Sequence, residues 1–104
     1  MSLRVYVKVV EVSEGGVVRR IAGMCDEELL GKVFRDGDLV LEVNEEFFGD
    51  SLVELDEAVA IAESSESVMA VGERIVSKLV GAELVHPLAV GRIAGVPYSL
   101  ILRY

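Results

Sequence analysis

The sequence predicts a single α+β domain in which two main helices pack on one face of a mostly antiparallel sheet, accompanied by a short helical turn. Apolar and polar residues alternate from Leu3 to Val12 and again from Tyr98 to Tyr104, with the two-residue period of strands. Between these segments, apolar residues recur at three- and four-residue spacing from Val68 to Val80, which is typical of an amphipathic helix. Strands at both ends of the chain and helices between them define the α+β class.

The first two strands are predicted to form a hairpin. Ser13–Gly16 (SEGG) is a turn, because glycine adopts positive φ angles without steric cost. Val17–Met24 then returns as a second strand, so that antiparallel pairing with the first strand is the natural arrangement.

The segment CDEELLGK, Cys25–Lys32, is predicted to begin a short helical turn. Asp26 can accept hydrogen bonds from backbone N–H groups two or three residues later, and the helix dipole favours Glu27 and Glu28 in the first turn. Gly31 can end the turn. These carboxylates therefore have a structural function before any catalytic one, although the same segment could form the edge of a binding site.

The middle of the chain is predicted to contain a strand and the first main helix. Asp36–Asp38 is a tight turn, and Leu39–Val43 is a strand buried on both faces for part of its length. Asn44–Asp50 is a loop or a single helical turn that carries two adjacent aromatic residues. Glu54–Ala62 is rich in Ala, Glu and Leu, which favours a helix.

The second main helix follows an interruption at Ser64–Ser67, since serine prefers helix caps to helix interiors. Gly72 lies on the apolar stripe of this helix, where the missing side chain allows another backbone to approach closely. Pro87 prevents the helix from continuing far. The chain then bends within Ile93–Pro97 and ends in the final alternating strand.

The charge distribution indicates which partners suit the protein. The 104 residues carry a net charge of −8, and fourteen acids lie between Asp26 and Glu66 with only Lys32 and Arg35 among them. No acid follows Leu84. An acidic middle repels a phosphate backbone, so direct nucleic-acid binding is not expected, whereas a basic partner protein suits this face. The alternative is that the acids serve only solubility. The basic residues that an RNA site could use are Arg19, Arg20, Arg92 and Arg103.

The chain has one cysteine, Cys25, and one histidine, His86. These counts exclude an internal disulfide and most zinc and imidazole-based catalytic sites. Neither a membrane span nor a signal peptide is recognisable, so we expect residues 1–104 to form one cytoplasmic domain.

Three candidate chemistries have simpler structural alternatives. Cys25 could be a nucleophile at a helix N-terminus, but the neighbouring carboxylates raise a thiol pKa, which favours a packing role. The carboxylates of Asp36–Asp38 lack the spacing of a calcium loop, so no metal or other cofactor is predicted. Lys32 follows Gly31 without the rest of a phosphate loop, and it could contact an anion or pair with Glu28 one turn earlier.

The aromatic residues are candidates for partner contacts. One of Phe47 and Phe48 is expected to fill the core, and the other could point outward and form an interaction patch. Tyr98 and Tyr104 on the last strand have the same two alternatives. This acid-free strand could also pair with a second copy of itself in a homodimer.

Four segments resemble the archaeal family of uncharacterised proteins called DUF424. They are CDEELLGK (Cys25–Lys32), EFFGD (Glu46–Asp50), VGERIV (Val71–Val76) and GVP (Gly95–Pro97), and their order and spacing cover nearly the whole chain. The resemblance implies a small archaeal cytosolic domain whose relatives are often encoded near translation or ribosome-biogenesis proteins.

The sequence departs from the family pattern at three polar positions. Met69 replaces an asparagine, Tyr98 replaces a histidine after GVP, and Phe48 replaces a tyrosine. If these groups formed a polar site in relatives, this chain has lost three of its members, which weakens a catalytic interpretation.

The sequence therefore favours a non-catalytic protein-binding or adaptor module, linked by the resemblance to translation or ribosome biogenesis. The alternative is a small-molecule-binding protein or enzyme with a cleft between the CDEELLGK turn, Gly72-Glu73 and Gly95–Pro97, in which Glu73 is the acid/base candidate. A concave pocket with a buried Glu73 would favour the enzyme, and a flat acidic surface with an exposed Phe48 would favour the adaptor. The candidate ligand- or partner-binding residues are Cys25, Asp26, Glu28, Lys32, Phe48, Gly72, Glu73, Pro97 and Tyr98.

Overall fold

A computed structural model describes residues 3–103, which contain eight strands, three α-helices and two short 3₁₀ turns. The strands are β1 (Arg4–Glu14), β2 (Val17–Asp26), β3 (Val33–Asp36), β4 (Leu39–Glu42), β5 (Ser51–Glu54), β6 (Ser67–Val71), β7 (Gly91–Ile93) and β8 (Val96–Leu102). The helices are α1 (Glu45–Phe48), α2 (Leu55–Glu63) and α3 (Glu73–Gly81), and the 3₁₀ turns are Glu27–Leu29 and Pro87–Ala89.

Six strands form one sheet in the order β5-β1-β2-β6-β8-β7. All neighbours are antiparallel except β2 and β6, which run in the same direction. Cys25 on β2 is in register with Val71 on β6, so the next residues of the two strands, Asp26 and Gly72, lie side by side at the same end of the sheet. The α+β prediction, with a mostly antiparallel sheet, is confirmed.

The two faces of the sheet are covered differently. Helices α2 and α3 cover one face, where the larger core includes Met24, Ile75 and Leu79. On the other face, α1 and the separate β3–β4 hairpin cover only the end near Cys25 and Val71. Both predicted main helices therefore lie on one face, and the sheet has a second, smaller core behind it.

The segment Ser67–Val71 is strand β6 in the middle of the sheet, so the prediction that the second main helix begins at Val68 is wrong. A short apolar run fits a buried helix and a buried strand equally well by periodicity. Here Val68 and Ala70 pack against the helices, whereas Val71 packs into the second core. The helix begins only at Glu73, and Gly72 precedes it instead of lying on its apolar stripe.

The expected burial of Leu39–Val43 on both faces is also wrong for most of its length. Strand β4 pairs only with β3, which was not predicted, and Leu39 and Val40 are exposed. A two-stranded hairpin buries only one of its faces, and here Leu41 on that face packs in the second core. The predicted turn at Asp36–Asp38 is confirmed as the connection of this hairpin.

The remaining local predictions agree with the structure. The β1–β2 hairpin, helix α2 and the single turn α1 lie where they were predicted, and Ala94-Gly95 forms the predicted bend with φ of 52° and 81°. Strand β8 pairs with β6 on one side and, through Val96–Tyr98, with β7 on the other, so only Ser99–Leu102 has an open edge. The expectation for Tyr104 falls outside the described residues. No helix within residues 3–103 is long and apolar enough to cross a membrane.

Candidate functional site

Asp26 caps helix α3 from across the sheet. Its side chain is only 2% exposed, and its two carboxylate oxygens each accept a backbone hydrogen bond of 2.9 Å, from Arg74 and from Ile75. The carboxylate thus satisfies two N–H groups that an α-helix leaves unpaired at its first turn. The predicted capping role is correct in kind but wrong in target, because no side-chain bond caps the 3₁₀ turn at Glu27–Leu29.

Gly72 makes this cap sterically feasible. Its φ of 122° lies in a region that side-chain-bearing residues rarely adopt, and a Cβ atom there would lie 2.4 Å from Cγ of Asp26. The predicted close approach at Gly72 is therefore real, although the approaching group is a side chain and not a backbone. The end of β2 and the start of α3 are locked together at this point.

A pocket of about 260 Å³ opens directly beside this cap. The structure brings together in it the three segments from which the sequence analysis built a cleft: the turn after Cys25, the start of α3, and the bend before β8. Its lining residues are Asp26, Glu28, Leu29, Glu73, Arg74, Gly95, Val96 and Pro97.

Two ion pairs form the rim of this pocket. Arg74 donates a hydrogen bond of 2.7 Å to Oε1 of Glu28 and also contacts Oε2 of that carboxylate. On the other side, Arg92 lies 3.0 Å from Oε1 of Glu73 and donates to the carbonyl oxygen of Gly95 at 3.1 Å. The Glu73 side chain is 64% exposed, so the buried Glu73 that would favour the enzyme alternative is not found.

A second depression of about 310 Å³ lies next to the first along α3. The two share Glu73 and Pro97, and we call them together the α3 groove. The added lining is mainly apolar and lies between α3 and the Pro87–Ala89 turn; it comprises Val76, Ser77, Val80, Pro87, Val90 and Arg92.

Cys25 lies outside the groove and is fully buried in the second core. Burial, together with the charges of Asp26 and Glu28, raises the pKa of its thiol to about 12. A thiol that stays protonated and shielded is a poor nucleophile. The packing interpretation of Cys25 is thus favoured over the catalytic one.

We predict that the Cys25 thiol of the native protein reacts with Ellman's reagent at least about 100-fold more slowly than in urea, because reagent can reach it only through unfolding. The denatured chain should release one equivalent of chromophore and serves as the control. Stoichiometric labelling of folded protein within minutes would show that the thiol is accessible.

Three other candidates are placed away from the groove or in different roles. As expected, one of the two phenylalanines fills the core: Phe48 is 3% exposed and packs in the second core with Cys25, and Phe47, 40% exposed, is the outward aromatic. The exposed Phe48 that would favour the adaptor is therefore not present. Tyr98 is half-buried with its ring against Gly91. Lys32 is exposed, and Glu28 pairs with Arg74 instead of with Lys32.

Sequence reasoning missed the two arginines of the rim. Arg74 and Arg92 meet carboxylates 46 and 19 residues away along the chain, and no local pattern indicates such pairs. The position of Arg74 next to the candidate Glu73 was the one available sign. Within residues 3–103, no three His, Cys, Asp or Glu side chains are arranged to hold a metal ion.

Comparison with known proteins places the chain in a family. Residues 7–104 match the family described as "Protein of unknown function (DUF424)". The fold is similar to the crystal structure of an uncharacterized conserved protein from Methanopyrus kandleri, with 26% identity and a TM-score of 0.74 over 97% of this chain and 94% of that one. No curated protein matches the chain. The chain therefore belongs to the DUF424 family, as its CDEELLGK, EFFGD, VGERIV and GVP segments predicted.

Proposed function

We propose that this domain is a non-catalytic binding module that holds a segment of a partner protein in the α3 groove. The observation that carries this proposal is that two depressions lie next to each other along α3 and share Glu73 and Pro97 in their lining. An open groove with an apolar floor and a charged rim suits an extended peptide segment, whereas small substrates are usually enclosed.

The side chains of the groove support binding more than catalysis. Both carboxylate oxygens of Asp26 are committed to the start of α3, and Glu73 is exposed and paired with Arg92. A general acid or base needs a free proton-transfer atom in a setting that tunes its pKa, and a nucleophile needs access. Cys25, the one thiol of the chain, is buried in the second core.

The charge of the surface supports a basic partner. Every acid from Glu27 to Glu63 is exposed, and the carboxylates of Glu28 and Glu73 lie on the groove itself. Complementary charge speeds encounter and selects among partners. The family resemblance implies relatives that are encoded near translation or ribosome-biogenesis proteins. This supports a basic partner protein from that apparatus.

The test is an affinity capture from lysate of the source organism with wild-type protein, Glu73→Lys and Glu46→Lys. Both substitutions reverse an exposed acid in the first turn of a helix, but Glu46 lies on α1 behind the sheet. We expect wild type and Glu46→Lys to capture the same basic protein, and Glu73→Lys to capture at least about 10-fold less, since a charge is reversed inside the contact.

Circular dichroism of the three proteins checks that each is folded. Equal capture by Glu73→Lys and wild type would contradict a groove-centred contact. Loss of capture in Glu46→Lys alone would show that the partner contacts the surface around α1 and not the groove.

A small-molecule-binding function is the second candidate, and the convergence of three predicted segments on one pocket favours it. The pocket beside Asp26 has an apolar floor at Leu29, Val96 and Pro97 and polar groups at its rim, as ligand sites do. A thermal-shift screen with cellular metabolites tests it. A ligand that stabilises wild type but not Val96→Lys would replace the peptide proposal.

A further inference from the structure

Half of the sheet face opposite α2 and α3 has no cover in the described residues. Helix α1 lies against Gly23, where a Cβ atom would be 2.3 Å from the carbonyl oxygen of Phe47. The part of this face that α1 and the β3–β4 hairpin cover ends near Gly23. Two cross-strand rows run over β1, β2, β6 and β8 at this boundary. The row Lys8, Gly23, Met69 and Leu100 is covered in its middle, because Gly23 lies under Phe47 and Met69 packs against the second core. The row Val10, Ile21, Ser67 and Leu102 lies beyond the covered area.

The side chains of these rows point away from the helices. On β8, Ser99 and Ile101 are buried, whereas the alternating Leu100 and Leu102 are 58% and 57% exposed. On β1, Val5 and Val7 are in the helix-side core, whereas Val10 and Val12 are exposed. We call the apolar surface of Val10, Val12, Ile21, Leu100 and Leu102 the bare half-face. Contiguous apolar patches of this kind on soluble proteins mark interaction sites.

The charge pattern of the chain indicates the occupant of the bare half-face. Neither cross-strand row contains a carboxylate, and the charges at the margin are Lys8, Glu14 and the Arg19–Glu66 ion pair, whose atoms are 2.8 Å apart. Two copies, each with a net charge of −8, repel one another over their acidic surfaces and least at this face. A basic partner finds no acid within the rows, and Glu66 at the margin is already paired with Arg19.

We propose that the bare half-face is a self-association surface, against which a second copy of the chain packs with the same half-face. Two sheets pack face to face at about 10 Å with interdigitated apolar side chains, and an identical patch on both copies closes a two-fold dimer. The α3 groove lies on the opposite face of the sheet, so a dimer presents two open grooves. The inference is independent of what the groove binds.

The test is sedimentation velocity of full-length protein from about 10 µM to about 1 mM, with dissociation expected at about 1–100 µM as for a modest interface. The double variant Leu100→Lys/Leu102→Lys should remain a folded monomer, with a dissociation constant for the dimer that is at least about 100-fold higher. Leu39→Lys is the matched control, because Leu39 is also 58% exposed but lies on the β3–β4 hairpin. It should dimerise as wild type does.

A third variant distinguishes face packing from pairing through the open edge of β8. Val12 lies on β1, so Val12→Lys changes the bare half-face without touching that edge. Loss of the dimer in Val12→Lys supports the proposal. A dimer that survives Val12→Lys but not Leu100→Lys/Leu102→Lys would overturn it in favour of edge pairing, and wild type that stays monomeric at every concentration would overturn it outright.

Discussion

Gly72→Ala is expected to destabilise the domain by about 4 kcal/mol, which is a large part of the stability of a chain of this size. Two effects combine at this residue. A φ of 122° strains any residue with a Cβ atom by about 1–3 kcal/mol. The added methyl group would also lie 2.4 Å from Cγ and 2.6 Å from Oδ2 of the buried Asp26, so the cap of α3 must move. Urea unfolding followed by circular dichroism measures the loss.

Gly81→Ala is the matched control for this substitution. Gly81 is the last residue of the same helix, and an added Cβ atom meets nothing within 4 Å. Alanine favours a helix over glycine by up to about 1 kcal/mol, so this variant should be unchanged or slightly more stable. If Gly72→Ala unfolds at the same urea concentration as Gly81→Ala, then the strand end and the helix start are not locked together as described.

A double-mutant cycle separates the two effects at Gly72. In Asp26→Ala the obstructing carboxylate is gone, so adding Gly72→Ala there should cost only the backbone strain. We expect the two changes to be less than additive by about 1–2 kcal/mol, as for residues in direct contact. Strict additivity would show that Asp26 does not restrict this position.

Local features of the sequence were sufficient to predict much of the fold. The β1–β2 hairpin, α2, the bend at Ala94-Gly95 and the last strand each follow from alternation, helix-favouring composition or glycine-containing turns, which act over a few residues. Strand β6 could not be predicted in this way, because its mostly apolar sequence does not alternate. In addition, its neighbours are distant along the chain: β2 lies about 46 positions earlier and β8 about 30 later.

The candidate site was predictable in place but not in chemistry. Residues of the CDEELLGK turn, Glu73 and Gly95–Pro97 do line one pocket, which Gly72 itself does not reach. However, the sequence predicts that Asp26 accepts hydrogen bonds from backbone N–H groups two or three residues later. In the structure it accepts one from the backbone of Arg74, 48 residues later. The parallel β2–β6 pairing brings these two together, and no pattern within either segment reveals that pairing.

Asp26→Ala is expected to destabilise the domain by about 3 kcal/mol. The substitution leaves the backbone N–H groups of Arg74 and Ile75 unpaired at a buried site, and an unpaired buried donor costs about 1–3 kcal/mol. Glu27→Ala is the control, because Glu27 is the neighbouring acid but is exposed and lies 3.8 Å from Arg4; it should change stability by less than about 0.5 kcal/mol. Equal effects of the two substitutions would contradict a cap at Asp26.

Asp26→Asn tests the electrostatic side of the same cap through its pH dependence. Burial raises the pKa of Asp26 above its usual 3.8 despite the opposing hydrogen bonds from Arg74 and Ile75, so the folded protein binds this proton more tightly than the unfolded chain does. The resulting stabilisation is fully present below pH 3.8 and is lost as the pH rises through the raised pKa. Asparagine keeps one acceptor oxygen and no titratable proton. The free energy of unfolding of wild type, relative to that of Asp26→Asn, should therefore increase on acidification toward pH 4. If the difference between the two proteins is constant or decreases there, the two N–H donors hold the carboxylate in its charged form.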